Sequence, residues 1–128
     1  MKTKICPSRN PAFTLVEVMV VVTIIGLLVG IAVPKIMIAR DTARLRMIQT
    51  NLRQIYQAKE QWAMEQRQRD GAPVADVSVL QDYLHGGGVH VVVQETYLPN
   101  PVGTPPTAAL PAGVKLGSYP AGATIPTP

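Results

Sequence analysis

The feature that most constrains this chain is the run from Phe13 to Val33. It holds 21 residues, of which only Thr14, Glu17 and Thr23 are polar. As a helix it would reach roughly 30 Å, the thickness of a bilayer's hydrocarbon core. A secretory signal carries an apolar stretch of about 7–15 residues closed by a small-residue cleavage pattern. This stretch is longer, no Ala-x-Ala closes it, and Ile31-Ala32-Val33-Pro34 leads straight into more helix-forming sequence. The run therefore reads as a membrane-spanning helix that the chain retains.

Charge is arranged around this run. The net charge is +4, but Lys2, Lys4 and Arg9 all lie in the first twelve residues, and without them 9 basic residues face 8 acidic ones, a net +1. A nearly neutral body offers little counterion-release affinity, so no nucleic-acid partner is expected. Lys35, Arg40, Arg44 and Arg46 form a basic cluster beyond the run, read as a solvated or headgroup-facing helix surface. With positive charge on both flanks, the positive-inside count does not fix the orientation. The single cysteine, Cys6, precedes the run, so the body has neither an internal disulfide nor a thiolate metal site.

Glu17 is the residue that such a helix has to explain. An acid in a spanning segment costs about 2.5–3.5 kcal/mol on insertion scales. Either it snorkels to the headgroups, being early in the apolar run, or it has a partner. The stretch Ala12-Phe13-Thr14-Leu15-Val16-Glu17-Val18-Met19-Val20-Val21 resembles the N-terminal signature of type IV prepilins and type II secretion pseudopilins. The resemblance covers roughly residues 9–45. It implies that a prepilin peptidase cuts between Ala12 and Phe13 on the cytoplasmic side, that the new Phe13 amine is N-methylated, and that Glu17 is the fifth residue of the mature chain. It further implies that Glu17 meets the N-terminal amine of a neighbouring subunit during assembly. Pairing would relieve the cost of leaving either charge alone in a low-dielectric helix bundle. Ala12 departs from the Gly that the family places before the cut. As the next smallest side chain it is expected to be tolerated.

Gly26 and Gly30 make a G-x-x-x-G pair, which fits close helix–helix approach as well as the general frequency of Gly in spanning helices. Together with Pro34 they weaken this half of the helix, since each Gly costs about 1 kcal/mol and Pro removes a hydrogen bond. The resemblance to pilin-like proteins further implies a loosening of the helix between Gly26 and Pro34 in assembled filaments. Beyond Pro34 the helical pattern runs to about Arg69. Leu45, Ile48, Leu52, Ile55 and Trp62 form one apolar stripe, Lys59 interrupts it, and Glu65 and Arg69 make an i,i+4 pair.

Asp70-Gly71-Ala72-Pro73 stops this helix. Asp76 or Ser78 caps a short second helix through Leu84, and Gly86-Gly87-Gly88 ends it. Val89–Thr96, rich in β-branched residues, reads as a strand. Residues 97–128 hold eight prolines, which confines further strands to short or edge positions, with Val114–Tyr119 the best candidate and Ala123–Ile125 a weaker one. His85 and His90 lack Cys partners or a matched acid cluster and read as surface residues. No residues nominate themselves for catalysis, a metal or a cofactor, so an enzyme is not expected.

The expected fold class is α+β: a long N-terminal membrane-spanning helix with a small C-terminal cap of a short helix and a minimal sheet. The expected division is a basic leader at 1–12, a transmembrane or filament-core helix at 13–34, its amphipathic continuation at 35–70, and a Pro/Gly-rich region at 71–128. The resemblance implies a structural subunit of a pilus or of a type II secretion pseudopilus. Its partners would be further copies and other pilin-like subunits, the prepilin peptidase, an inner-membrane assembly platform, and lipid before assembly. It would reside in the bacterial inner membrane with its C-terminal part on the periplasmic side. The rival reading is a single-pass anchored binding module that never assembles.

Overall fold

The structure is a computed structural model that describes residues 13–128, so the leader and Ala12 lie outside the described residues. One helix, α1 (Leu15–Glu65), is followed by a 3-10 helix (Val77–Tyr83) and three short strands, β1 (Thr96–Leu98), β2 (Thr107–Ala109) and β3 (Thr124–Pro126). The strands form one antiparallel sheet in the order β1-β2-β3, with Tyr97 opposite Ala108 and Ala108 opposite Ile125. The fold is α+β, as expected. The chain divides into two compact units between Ile36 and Met37.

In the second unit the apolar stripe of α1 packs as its spacing predicts. Ile48, Leu52 and Ile55 are fully buried and join Leu80, Leu84, Tyr97, Ala108, Leu110, Leu116 and Ile125 in one core, with Leu45 and Trp62 partly buried against it. Burying each of these large aliphatic side chains stabilises the fold by about 1.5–3 kcal/mol. The alternation of the strands delivers one inward residue each (Tyr97, Ala108 and Ile125) and leaves Thr96, Leu98, Thr124 and Pro126 exposed.

Several expectations are corrected by local chemistry. The long helix ends at Glu65, four residues before Arg69. Arg67 takes a left-handed conformation (φ 51°), and the Gln68 N–H donates to Ala63 O (2.8 Å) while the Arg67 N–H donates to Met64 O (3.4 Å). These two bonds make a Schellman stop, with an arginine where glycine is usual. Glu65 consequently has no helical partner at Arg69, and its carboxylate accepts instead from the Tyr83 hydroxyl (2.7 Å). Asp76 is the cap of the short helix, accepting from the Val77 N–H (2.7 Å). Val89–Thr96 is not a strand. The Glu95 carboxylate collects the N–H groups of Val92 and Val93, Gln94 turns to φ 62°, and pairing begins only at Thr96. Val114–Tyr119 is a tight turn closed by reciprocal Leu116–Tyr119 backbone bonds (3.0 and 3.1 Å) rather than a strand. Ala123–Ile125 overlaps β3, and the central strand β2 was not expected at all.

Two charged groups sit in this core, each solvated by neutral hydrogen-bonding groups, mostly backbone, rather than by an opposite charge. Lys59, the interruption in the stripe, is 0% exposed. Its Nζ donates to the carbonyls of Pro99 (2.9 Å), Pro101 (3.1 Å) and Thr104, so the β1–β2 connection is wrapped around the ammonium, which also lies 5.5 Å from the Tyr56 ring centroid. Burial pulls its pKa below the ordinary lysine value, opposed by the negative charge of Glu60. Glu95 is 4% exposed. Burial would raise its pKa, but the Tyr97 hydroxyl (2.6 Å) and the N–H groups of Val93 and Val92 outweigh it and hold the carboxyl below its ordinary value. Asn51 completes the network, donating to Tyr97 Oη (2.8 Å) and to the His90 carbonyl (2.9 Å). Burial is the main reason the Tyr97 phenol is pushed well above its usual pKa; the Glu95 carboxylate adds to this and the Asn51 amide opposes it.

Candidate functional site: the exposed N-terminal helix

In the first unit, α1 presents its apolar side chains outward. Phe13 is 76% exposed, and Leu15, Val16, Val18 to Val22, Ile24, Ile25, Leu27 to Val29, Ile31 and Val33 are all exposed. A window of this helix is long and apolar enough to cross a membrane, and none of it is buried. In water, so continuous an apolar surface would drive association, so the segment needs lipid or other apolar helices around it.

The start of the helix is set by Thr14. The Glu17 N–H donates to Thr14 Oγ1 (3.3 Å) and to the Thr14 carbonyl (3.1 Å), and the Val18 N–H donates to the same carbonyl (3.3 Å). Thr14 is therefore the N-cap, and Thr14-Leu15-Val16-Glu17 has the T-x-x-E form of a capping box. Glu17 falls in the first turn, where the helix dipole favours a negative charge. The cap is made by the Thr14 side chain and carbonyl with the Glu17 and Val18 N–H groups, and the T-x-x-E spacing in the sequence already signals it.

Further along, the Thr23 hydroxyl bonds back to the Met19 carbonyl (2.7 Å), which satisfies a polar group that would otherwise face an apolar medium. Val16, Met19, Val20, Thr23 and Ile24 line a shallow groove of about 240 Å³. Gly26 and Gly30 lie one turn apart, and an added Cβ at either would meet nothing within 4 Å, so both notches are open in the isolated chain. The helix passes through Gly26, Gly30 and Pro34 without a break. Pro34 has no N–H to offer the Gly30 carbonyl, so one backbone hydrogen bond is missing there.

Phe13, Glu17, Gly26, Gly30 and Pro34 thus all lie on or beside one exposed helix, while His85 and His90 are exposed in the second unit. No group of three or more His, Cys, Asp or Glu that could hold a metal occurs among the described residues.

Comparison with known proteins places the same segment. Residues 7–33 match the family model described as the prokaryotic N-terminal methylation motif. A 57-residue stretch is 39% identical to the type IV major pilin protein PilA of Myxococcus xanthus (strain DK1622), covering 44% of this chain and 26% of that protein. No solved structure matches. The N-terminal part of the chain thus carries the methylation motif and is similar to a type IV pilin. The chain spans about a quarter of the length of the curated relative it matches.

Proposed function

We propose that this protein is a structural subunit of a type IV pilus-like filament or a type II secretion pseudopilus. The observation that carries this reading is the coincidence of the methylation motif with a helix whose apolar surface is exposed on every side. Prepilin peptidase would cut between Ala12 and Phe13 and the Phe13 amine would be N-methylated. The subunit would wait in the inner membrane with residues 37–128 on the periplasmic side. An assembly platform would then move residues 13–34 from lipid into a bundle of like helices, since leaving lipid unaided forfeits too much apolar burial. There Glu17 would meet the amine of a neighbouring Phe13, Gly26 and Gly30 would admit close helix approach, and the missing bond at Pro34 would let the helix loosen.

The place of Glu17 in the first turn of α1, where the helix dipole favours a negative charge, supports a second reading, in which the chain remains a single-pass anchored module. Mass spectrometry of the intact protein and its N-terminal peptide, from membranes of the native host, separates the two. The filament reading expects a chain beginning at N-methylated Phe13. A chain still beginning at Met1, in cells whose other prepilins are processed, overturns it.

A further inference from the structure

The apolar surface of α1 does not stop at Pro34. Ile36, Met37 and Ile38 are also exposed, and the next turns carry Arg40, Asp41, Thr42 and Arg44. A helix that leaves a bilayer with this pattern passes from hydrocarbon to headgroups close to Ile38. At that position the second unit has an open groove of about 570 Å³, lined by Ile38, Asp41, Thr42, Lys115 and Gly117.

The groove is built by the tight turn that replaced the expected strand. Leu116 is 0% exposed and fixed in the core, its backbone exchanges bonds with Tyr119, and Gly117 supplies the left-handed residue of the turn (φ 59°). The side chain before Leu116 is thereby delivered to the helix surface. Lys115 is exposed and, among the described residues, has no carboxylate within ion-pair distance. Asp41, across the groove, is only loosely held by Arg44 at 3.7 Å, with both side chains about half exposed. The Thr42 hydroxyl is already spent on the Ile38 carbonyl (2.9 Å). Among the described residues the groove therefore offers one cation outside any ion pair (Lys115), one loosely paired carboxylate (Asp41) and an apolar wall.

We propose that this groove seats the headgroup of an aminophospholipid, with the phosphate on Lys115, the ammonium on Asp41 and the glycerol end against Ile38. The dipolar headgroup matches the two charges in a way that a purely anionic one does not, because Asp41 would repel it. The proposal rests on the membrane-anchored state of the reading above and concerns the subunit before assembly.

The test reconstitutes the full chain in vesicles of equal parts phosphatidylethanolamine, phosphatidylglycerol and phosphatidylcholine. It then counts retained lipids by native mass spectrometry after gentle detergent extraction. Phosphatidylethanolamine is expected to dominate the adducts. Lys115→Glu should reduce them about fivefold, as expected for one basic contact at a membrane surface, and Asp41→Asn should abolish the preference over phosphatidylglycerol. Lys115→Gln repeats the test without a reversed charge, and circular dichroism checks that each variant keeps its helix. Arg53→Glu, on α1 but outside the groove, should change nothing. Preference for phosphatidylglycerol, or equal losses in Lys115→Glu and Arg53→Glu, means generic charge attraction and overturns the seat. The assay needs no filament, so its failure leaves the processing of Phe13 untouched, and an unprocessed Phe13 leaves the lipid result standing.

Discussion

Residues 13–36 and residues 37–128 share one helix and obey opposite solvent rules. In the first region the helix exposes leucine, isoleucine and valine on all sides, and its polar residues are either tied to their own backbone or placed at its start. In the second it shows one apolar stripe and buries it against a cap whose strands are three residues long. So small a sheet cannot hold the cap by its own ladder, and buried side chains that bind backbone do much of the fastening. Lys59 gathers the carbonyls of the β1–β2 connection, Glu95 gathers the N–H groups before β1, and Asn51 joins the second network to the helix. The first region is specified by composition, the second by a few individual side chains.

The largest test of this contrast compares two isoleucines on the same helix. Ile55→Ala is expected to destabilise the second unit by about 2–5 kcal/mol through lost burial and a residual cavity. Ile25→Ala should leave its unfolding within about 0.5 kcal/mol, as for a surface substitution. Chemical denaturation in mild detergent, followed by Trp62 fluorescence, reads both, and equal effects would erase the distinction. Lys59→Met comes next. It keeps the aliphatic stem but strands the Pro99, Pro101 and Thr104 carbonyls, and should cost about 2 kcal/mol in the same assay. Acid titration sharpens the point at Glu95. Its folded pKa is depressed, so its contribution is fully present above the ordinary carboxylate value and is lost as pH falls through the lower folded one. Glu95→Gln should flatten that part of the stability–pH curve, and an unchanged curve would show that the carboxylate is not a fastener. The smallest effect belongs to Thr14→Val, which removes the cap and should cost about 1 kcal/mol locally. It would appear as faster amide exchange at Glu17 and Val18, with no change in the second unit.

These fastenings also mark where the sequence stops being legible. Periodicity and composition showed the long helix, its stripe through Ile48, Leu52 and Ile55, and a cap at Asp76 or Ser78, which the structure assigns to Asp76, because each depends on residues close together in sequence. The β-branched run at Val89–Thr96 misled because Glu95, four places after Val91, takes the N–H groups that a strand would have paired. The middle strand Thr107–Ala109 hides behind Pro105 and Pro106, and its place is set by partners at Thr96–Leu98 and Thr124–Pro126. The helix stop at Arg67 carries no glycine to announce it. Lys59 looked like a fault in the stripe because its three acceptors lie at least 40 residues away. Within the candidate site, Phe13 was singled out by the resemblance to prepilins, Glu17 by its charge within the apolar run and by that resemblance, Gly26 and Gly30 by their spacing, and Pro34 by its effect on a helix, and the structure adds the Thr14 cap at the start of that helix.

The burial of Lys59 has a practical consequence. Beyond the leader the chain has three lysines, at positions 35, 59 and 115, and the middle one is sealed while the other two are exposed. An amine-reactive reagent will therefore mark Lys35 and Lys115 in the intact protein and reach Lys59 only when the cap opens. The ratio of those adducts is an internal clock for opening of the cap, readable on a membrane, in a micelle or along a fibre without any added label site.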